Sequence, residues 1–385
     1  MRRRVGWTAG LCALSLALSS CTSITGGGND DEILIGVTLE RSGAAQILGN
    51  AEAAALQLVE DRVNEKGVLG RKVKLLIRDN KSDPKLSAQH VNDLIDRDKV
   101  VGVLGAGTTP TTLSIIDSVE SKKVPTISMG ASEQIVTPVA KRQYVFKTPP
   151  GGTAALQILL EEFALRGIKR IASITPNNAY GETGVRAAAF AAQRGGVTIV
   201  GAERYEESEQ DYSVQVGRLV ETQPQAILVG GLMPGAGIVA KNIKESGYQG
   251  RVYFDGGAGS DLFVSGAGKN AEGMFMITSS IVAANHIPAT SPSVLAQKEF
   301  FAEYTQRTGT FSGYASYAAD AMNLMVEAIR KAGSTDREKI RDTLENLTHD
   351  GLSGSYRFTA NNHGGASADG MTILVVRNGG WVLAE

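Results

Sequence analysis

Short runs of consecutive apolar residues alternate with segments whose apolar residues recur every three or four positions, from residue 33 to about residue 254. The runs predict buried β-strands, and the wider spacing predicts amphipathic α-helices. Strands are predicted at residues 33–37, 73–77, 100–104, 124–128, 170–175, 197–205, 226–229 and 252–254. Because strand and helix alternate, the pattern predicts an α/β fold built on doubly wound parallel sheets.

The alternating pattern falls into two series that meet at Pro149-Pro150. We therefore predict two Rossmann-like halves, each with its own sheet, whose ligand-binding edges face each other across a cleft. In the later part of the chain, the spacing of apolar residues predicts three amphipathic helices and short antiparallel strands at residues 355–358, 371–376 and 381–383. These strands are too few for an independent core, so we expect them to complete the two halves.

The first 32 residues are typical of an export signal followed by a flexible tether. Arg2, Arg3 and Arg4 precede an apolar stretch at residues 5–17, which is too short for a membrane span and is typical of a secretory signal. The following Leu18-Ser19-Ser20-Cys21 resembles a bacterial lipobox, in which the cysteine is lipidated. We predict a signal peptide at residues 1–20 and a flexible tether at 21–32. The alternative is an ordinary signal peptide with an incidental cysteine.

Composition indicates an ordinary globular protein without a nucleic-acid footprint. The net charge is −1, and 21% of the residues are charged. Cys12 lies in the predicted signal, so no disulfide is expected. After the signal peptide, enough chain remains for two domains of about 150 to 200 residues.

A glycine- and threonine-rich loop follows the predicted strand at 100–104. Residues 105–112 read Gly-Ala-Gly-Thr-Thr-Pro-Thr-Thr and open a helical pattern. Backbone N–H groups at a helix start attract anions, and the hydroxyls of Thr108 and Thr109 add donors, so the loop can cradle a ligand carboxylate. The alternative is that either threonine is only a helix cap.

Several short motifs carry a resemblance that covers the chain from about residue 33 to its end. They are Gly36-Val-Thr, Asn64-Glu-Lys-Gly, Asp79-Asn-Lys-Ser-Asp-Pro, the 105–112 loop, Val124-Pro-Thr-Ile-Ser, Tyr144-Val-Phe-Lys-Thr, Ala179-Tyr-Gly, Asp211-Tyr-Ser, Asp255-Gly and Ser316-Tyr-Ala-Ala-Asp-Ala. In this order and spacing they resemble the leucine/isoleucine/valine-binding protein family. The resemblance implies the type I periplasmic binding protein fold and a role as the substrate-binding component of an ABC transporter.

The family resemblance also implies three chain crossings at a hinge, near residues 148–151, 277–280 and 349–354. The first lobe would comprise residues 33–148 plus 279–350, and the second lobe residues 150–277 plus 352–385. Ligand binding would then favour closure of the two lobes.

The family pocket implies specific contacts. Thr108 and Thr109 would hold the ligand carboxylate, the loop of Gly130, Ala131 and Ser132 would touch the same end, and Tyr180 would close over the ligand. Simpler alternatives are a helix cap for Ser132 and a turn for Tyr180. For Gln46 and Gly49 in the first loop, a place in the pocket and a purely structural role stay equally open.

Two departures from the family stand out. Leu232, a predicted ligand contact, lies in the loop at residues 230–237. This loop contains no carboxylate, whereas amino-acid binders of the family commonly have one there that meets the ligand ammonium. Either Asp255 serves instead or the ligand lacks an α-ammonium group, because a desolvated cation without a counter-charge is costly. The second departure is Glu40-Arg41, which we interpret as a solvated surface pair, with the cleft mouth as the alternative.

Enzyme signatures are weak in this sequence. The histidines at 90, 286, 349 and 363 are scattered, and no Gly-x-Ser-x-Gly elbow, zinc spacing or P-loop occurs. The Gly235-x-Gly237-x-x-Ala240 match lies in the wrong βα unit for a dinucleotide site. We therefore predict no enzyme activity, no cofactor and no metal.

The combined expectation is a monomeric, extracytoplasmic lipoprotein anchored to a bacterial cell membrane. It would bind an amino acid or related small carboxylate and deliver it to an ABC permease and its ATPase. The alternative functions are a sensory lipoprotein that presents its bound state to a membrane receptor, or a binder of a non-amino carboxylate.

Overall fold

The computed structural model describes residues 32–384, in which a five-stranded parallel sheet forms the centre of the first lobe. The strands are β1 (Glu32–Leu39), β2 (Lys72–Asp79), β3 (Gly102–Gly105), β4 (Thr126–Ser128) and β5 (Val145–Lys147), in the order β2-β1-β3-β4-β5. Helices α1 (Gln46–Lys66), α2 (Pro84–Asp96) and α3 (Thr109–Ser121) connect them. The apolar side chains of β1 are buried on both faces, which explains its continuous apolar run.

A seven-stranded sheet forms the second lobe, in the order β14-β13-β10-β9-β8-β6-β7. Its strands are β6 (Arg170–Pro176), β7 (Thr198–Tyr205), β8 (Ala226–Val229), β9 (Arg251–Phe254), β10 (Phe275–Ser279), β13 (Met371–Arg377) and β14 (Gly380–Leu383). The helices of this part are α4 (Gly152–Arg166), α5 (Ala179–Arg194), α6 (Ser213–Glu221), α7 (Gly235–Glu245) and α8 (Asp261–Ala267). Strand β13 pairs antiparallel with both β10 and β14, so β13 and β14 complete the second lobe.

The remaining elements are α9 (Pro292–Thr308), α10 (Gly313–Ala332), α11 (Arg337–Glu345) and the two-stranded pair of β11 (Thr348–Asp350) and β12 (Ser355–Arg357). Helix α10 packs against α1 and has a wide buried face. The predicted α/β class with two lobes is therefore confirmed. The predicted lobe bounds stay a prediction.

The apolar pattern missed four elements, namely β5, β10, β11 and α8. Strand β5 is three residues long and ends in a buried lysine, which breaks the apolar run. Lys147 Nζ donates hydrogen bonds to the carbonyls of Ala131 and Pro149, at 3.0 and 2.9 Å. Within residues 32–384, no helix is both long and apolar enough to cross a membrane.

Buried Asp320 ties α10 to the segment between β11 and β12. Its carboxylate accepts hydrogen bonds from Leu352 N (2.7 Å), Ser353 N (2.9 Å) and the hydroxyl of Tyr356 (2.9 Å). Three buried donors therefore depend on one side chain.

Replacing Asp320 with alanine should lower the free energy of unfolding by about 3 kcal/mol, because three buried donors lose their acceptor. Chemical denaturation measures this loss. Asp320→Asn keeps one acceptor oxygen and should cost less, and Asp117→Ala, at an exposed position of α3, serves as the control. A loss within about 0.5 kcal/mol for Asp320→Ala would contradict this role.

Candidate functional site

A cavity of about 260 Å³ lies between the two lobes, beside the carboxyl ends of the sheet strands. Such edges are where doubly wound sheets bind ligands. Its first-lobe lining includes Ala44, Ala45, Leu48, Glu52, Gly107, Thr108, Thr109, Met129 and Ala131. The second lobe and α10 contribute Leu156, Thr175, Tyr180, Glu207, Leu228, Leu232, Asp255, Ile277, Tyr314 and Tyr317, among others.

Six of the nine predicted ligand-binding residues line this cavity: Thr108, Thr109, Ala131, Tyr180, Leu232 and Asp255. Gln46, Gly130 and Ser132 lie outside the lining. Gln46 is the first residue of α1, whereas Ala45 and Leu48 on either side of it reach the cavity. The backbone N–H of Gly130 donates to Ser128 Oγ at 2.9 Å.

Ser132 caps a short 3₁₀ turn, which agrees with the helix cap given above as the alternative to a pocket role. Its hydroxyl oxygen accepts a hydrogen bond from Gln134 N at 3.3 Å. The same oxygen accepts one from the hydroxyl of Thr183 on α5, at 2.9 Å. Ser132 therefore links the loop after β4 to the second lobe instead of facing the cavity.

The predicted anion cradle at the start of α3 holds the carboxylate of Glu40, which follows β1. Gly107 N donates to Glu40 Oε2 at 3.2 Å, and Thr108 donates to Oε1 through its N–H and its hydroxyl, both at 3.3 Å. The hydroxyl of Thr111 and Asn80 Nδ2 (3.3 Å) also donate to Oε1. Gly107 N and both donors of Thr108 are thus used by the protein itself, whereas the hydroxyl of Thr109 has no partner among the described residues.

The interpretation of Glu40-Arg41 as a solvated surface pair is wrong. Glu40 is fully buried, and only Arg41 is exposed, where it donates to Asn50 Oδ1 at 3.3 Å. Turning Glu40 inward requires a close approach of α1. A Cβ added to Gly49 would stand 2.3 Å from the carbonyl oxygen of Glu40, so only glycine fits there.

A second buried carboxylate, Glu52 on α1, lies beside Glu40. A Cβ added to Gly107 would stand 2.3 Å from Glu52 Oε2 and 2.7 Å from Glu40 Oε2, so the two carboxylates are neighbours. Glu52 is 1% exposed, and none of the described residues offers Oε2 a hydrogen bond. Burial, followed by the charge of Glu40, raises the pKa of Glu52 well above its usual range.

Glu40 differs from Glu52 in its partners. Burial raises its pKa, whereas the hydrogen bonds from Thr111, Thr108 and Asn80 lower it. Glu40 therefore has hydrogen-bond donors that stabilise its ionised form, whereas Oε2 of Glu52 has none among the described residues.

At the opposite side of the cavity, Tyr180 and Asp255 form a hydrogen-bonded pair. The hydroxyl of Tyr180 donates to Asp255 Oδ2 at 2.6 Å, and Gly257 N donates to Oδ1 at 2.9 Å. Burial raises the pKa of Asp255 to about 6, against the lowering effect of these hydrogen bonds. Near neutral pH, Asp255 is therefore mostly ionised and can meet a cationic group.

Local structure explains why both side chains reach the cavity. Asp255 directly follows β9, at the carboxyl edge of the parallel sheet. Tyr180 lies in the first turn of α5, which Asn178 caps by accepting hydrogen bonds from Tyr180 N (2.9 Å) and Gly181 N (3.0 Å).

Two further polar groups of the lining lack partners. The hydroxyls of Thr109 on α3 and Thr175 on β6 are buried, and no described residue hydrogen-bonds to either. Because buried polar groups are normally satisfied, these hydroxyls are available to a ligand.

The ionisable lining is acidic. Among the described residues that line the cavity, Glu52, Glu207 and Asp255 carry carboxylates, and none is a lysine, arginine or histidine. Within residues 32–384, no three His, Cys, Asp or Glu side chains are grouped closely enough to hold a metal ion.

Sequence reasoning missed Glu52, Thr175 and Tyr314 as cavity residues. Glu52 is a polar residue on a helix whose apolar spacing already accounts for its buried face. Thr175 and Tyr314 occupy a strand end and a helix start, positions that carry no distinguishing pattern. Only the approach of α1, β6 and α10 to one cavity reveals them.

Comparison with known proteins matches residues 32–380 to the family model described as periplasmic binding protein. The chain belongs to the periplasmic binding protein family. The predicted resemblance to the leucine/isoleucine/valine-binding proteins is confirmed. Members of this family bind ligands, so the chain is a binding protein and not an enzyme. Family membership also implies an extracytoplasmic location.

Two relatives illustrate how distant the similarity in sequence is. The "Amino acid binding protein" of Pseudomonas aeruginosa is 25% identical over 338 residues, covering 86% of this chain and 87% of the relative. The leucine-, isoleucine-, valine-, threonine- and alanine-binding protein of the same organism is 23% identical, with 85% and 86% covered.

Solved structures share the fold of this chain. An extracellular ligand-binding receptor from Rhodopseudomonas palustris HaA2 has a TM-score of 0.84 and 27% identity, with 92% of this chain and 99% of the receptor covered. A branched-chain amino acid transporter substrate-binding protein from Streptococcus pneumoniae, solved with isoleucine, has a TM-score of 0.79 and 21% identity, with coverages of 92% and 99%.

Replacing Tyr180 with phenylalanine should raise the pKa of Asp255 above about 6, by about one pH unit. The tyrosine hydroxyl stabilises the ionised carboxylate, and its loss favours the protonated form. A carbon-detected NMR titration of the Asp255 carboxyl measures this change. Tyr248→Phe, which removes a hydroxyl that donates to Pro224 O, is the control. An unchanged pKa of Asp255 in Tyr180→Phe would show that the Tyr180 hydroxyl does not stabilise the ionised carboxylate.

Proposed function

We propose that this protein is the solute-binding lipoprotein of an ABC importer and that it captures a small amine-bearing molecule of the amino acid class. Asp255, ionised near neutral pH and reinforced by Tyr180, would meet the ammonium group. It would replace the carboxylate that the loop at residues 230–237 lacks. The acidic lining of the cavity is the observation that carries this proposal.

Apolar side chains would hold the body of the ligand. Leu48, Met129, Leu156, Leu228 and Ile277 line the cavity from both lobes. Burial of a branched aliphatic group against them contributes about 25 cal/mol for each Å² removed from water. The names of the curated relatives, which bind leucine, isoleucine and valine, support a ligand of this size.

Closure of the two lobes would couple binding to delivery. Lining residues come from both lobes, and the Ser132–Thr183 hydrogen bond of 2.9 Å spans them. A ligand that contacts both lobes stabilises the closed form in proportion to its extra contacts there. The permease and its ATPase would recognise that closed form.

Lipidation at Cys21 would keep the protein at the membrane. Cys21 lies outside the described residues, and its lipidation rests on the lipobox-like Leu18-Ser19-Ser20-Cys21. One lipid chain alone gives weak anchoring, so diacylation at this cysteine would be needed for stable attachment.

Cys21→Ser should move the protein from the membrane fraction to the soluble fraction of cells, because the serine hydroxyl is not lipidated. Immunoblotting of separated fractions measures this change, and Ser20→Ala serves as a matched control. Retention of the Cys21→Ser variant in the membrane fraction would rule out a lipid anchor at this position.

Uptake of labelled branched-chain amines and amino acids tests the transport function. Cells without the gene should lose high-affinity uptake of the transported compound, and the wild-type gene should restore it. Asp255→Asn should weaken binding at least about tenfold, because the ammonium loses a charged partner. Calorimetry on the variant measures that loss.

One result would contradict the transport proposal, and another would contradict the role of Asp255. Normal uptake in the deletion strain, together with loss of a transcriptional response to the ligand, would favour the sensory alternative. Unchanged affinity in the Asp255→Asn variant would remove Asp255 from the site.

A further inference from the structure

We propose that the ligand carries a positively charged nitrogen group and presents no carboxylate to the start of α3, where Glu40 stands in place of a ligand carboxylate. This inference rests on the proposed function and restricts its amine-bearing ligand to amines that have no free carboxylate at that end of the molecule.

The first step concerns the donors at the start of α3. Gly107 N, Thr108 N and the hydroxyl of Thr108 all donate to Glu40 at 3.2 to 3.3 Å. A ligand carboxylate could use these donors only by displacing Glu40. The displaced side chain would then be a buried charge without hydrogen bonds, which is costly. An amino acid thus competes with a carboxylate that is already part of the protein.

The second step concerns Glu52, which lies beside the Glu40 carboxylate at the wall of the cavity. Glu52 lines the cavity, is 1% exposed, and its Oε2 has no hydrogen-bond partner among the described residues. A buried carboxylate beside another one is unfavourable unless a proton or a cation sits with it. A ligand ammonium or amidinium group supplies both the charge and the N–H donors that Glu52 lacks.

The third step concerns counter-charges. The described lining contains no lysine, arginine or histidine, so an anionic ligand would meet three carboxylates, Glu52, Glu207 and Asp255, without a compensating cation. Lys147, a buried lysine, lies outside the lining and directs Nζ to the carbonyls of Ala131 and Pro149. Charge complementarity therefore favours a cation over a zwitterion or an anion.

The fourth step concerns the unpartnered hydroxyl of Thr109, which is 2% exposed and lines the same end of the cavity. A hydroxyl can accept a hydrogen bond from an N–H group. Glu52 and Thr109 thus offer two acceptors at the end of the cavity where the family resemblance implied a ligand carboxylate.

Calorimetry with five probes of one branched skeleton tests the proposal on the full protein at pH 7. The probes are 3-methylbutylamine and leucinamide (cations), leucine (zwitterion), 4-methylpentanoate (anion) and 4-methylpentanamide (neutral). We expect the two cations to bind at least tenfold more tightly than the other three. Equal or tighter binding of 4-methylpentanamide or 4-methylpentanoate would overturn the proposal. Tighter binding of leucine would also overturn it, while leaving the proposed solute-binding function intact.

Two variants locate the effect. Glu52→Gln should weaken the binding of 3-methylbutylamine at least tenfold. The control Glu65→Gln, at an exposed position of the same helix, should leave the affinity for 3-methylbutylamine unchanged. Glu40→Ala frees the donors of Gly107 and Thr108 and should therefore gain affinity for leucine. Thermal melts of each variant check that it is folded.

The variants also separate the two claims. Unchanged amine affinity in folded Glu52→Gln would overturn the inference. If none of the five probes binds either wild-type protein or folded Glu40→Ala, both the inference and the proposed function fail.

Discussion

The site is organised by the hydrogen bonds between the carboxylate of Glu40 and the start of α3. Backbone N–H groups at a helix start attract a negative charge, and here that charge comes from the residue directly after β1. Glycine at positions 49 and 107 lets α1 and the loop before α3 close on this carboxylate. The same close approach of α1 places Glu52 at the cavity wall. The acidic side chain at this end of the cavity is therefore a consequence of the buried Glu40 interaction.

The rest of the architecture serves to bring two sheet edges together. Both sheets are mostly parallel, and their carboxyl edges meet at the cavity. Asp255 and Thr175 follow this rule, because each stands at the end of a strand of the second sheet. Helix α10 packs on α1 of the first lobe and contributes Tyr314 and Tyr317 to the cavity, and its Asp320 holds the segment after β11.

Apolar periodicity predicted most of the fold, because buried parallel strands are continuous apolar runs and the helices between them are amphipathic. It failed at β5, where Lys147 is buried through hydrogen bonds to two carbonyl groups that no local pattern reveals. The cradle at residues 105–112 was predicted as a place for an anion, and the structure supplies that anion from Glu40. The burial of Glu52 beside Glu40 could not be predicted from the sequence, because burial of a glutamate depends on which helices approach it.

A crystal structure of the protein with its bound ligand tests the central claim most directly. The account predicts that the Glu40 carboxylate stays within hydrogen-bond distance of Gly107 N and Thr108 N while a nitrogen atom of the ligand contacts Glu52. A ligand carboxylate at those two N–H groups, with Glu40 turned away from α3, would contradict it.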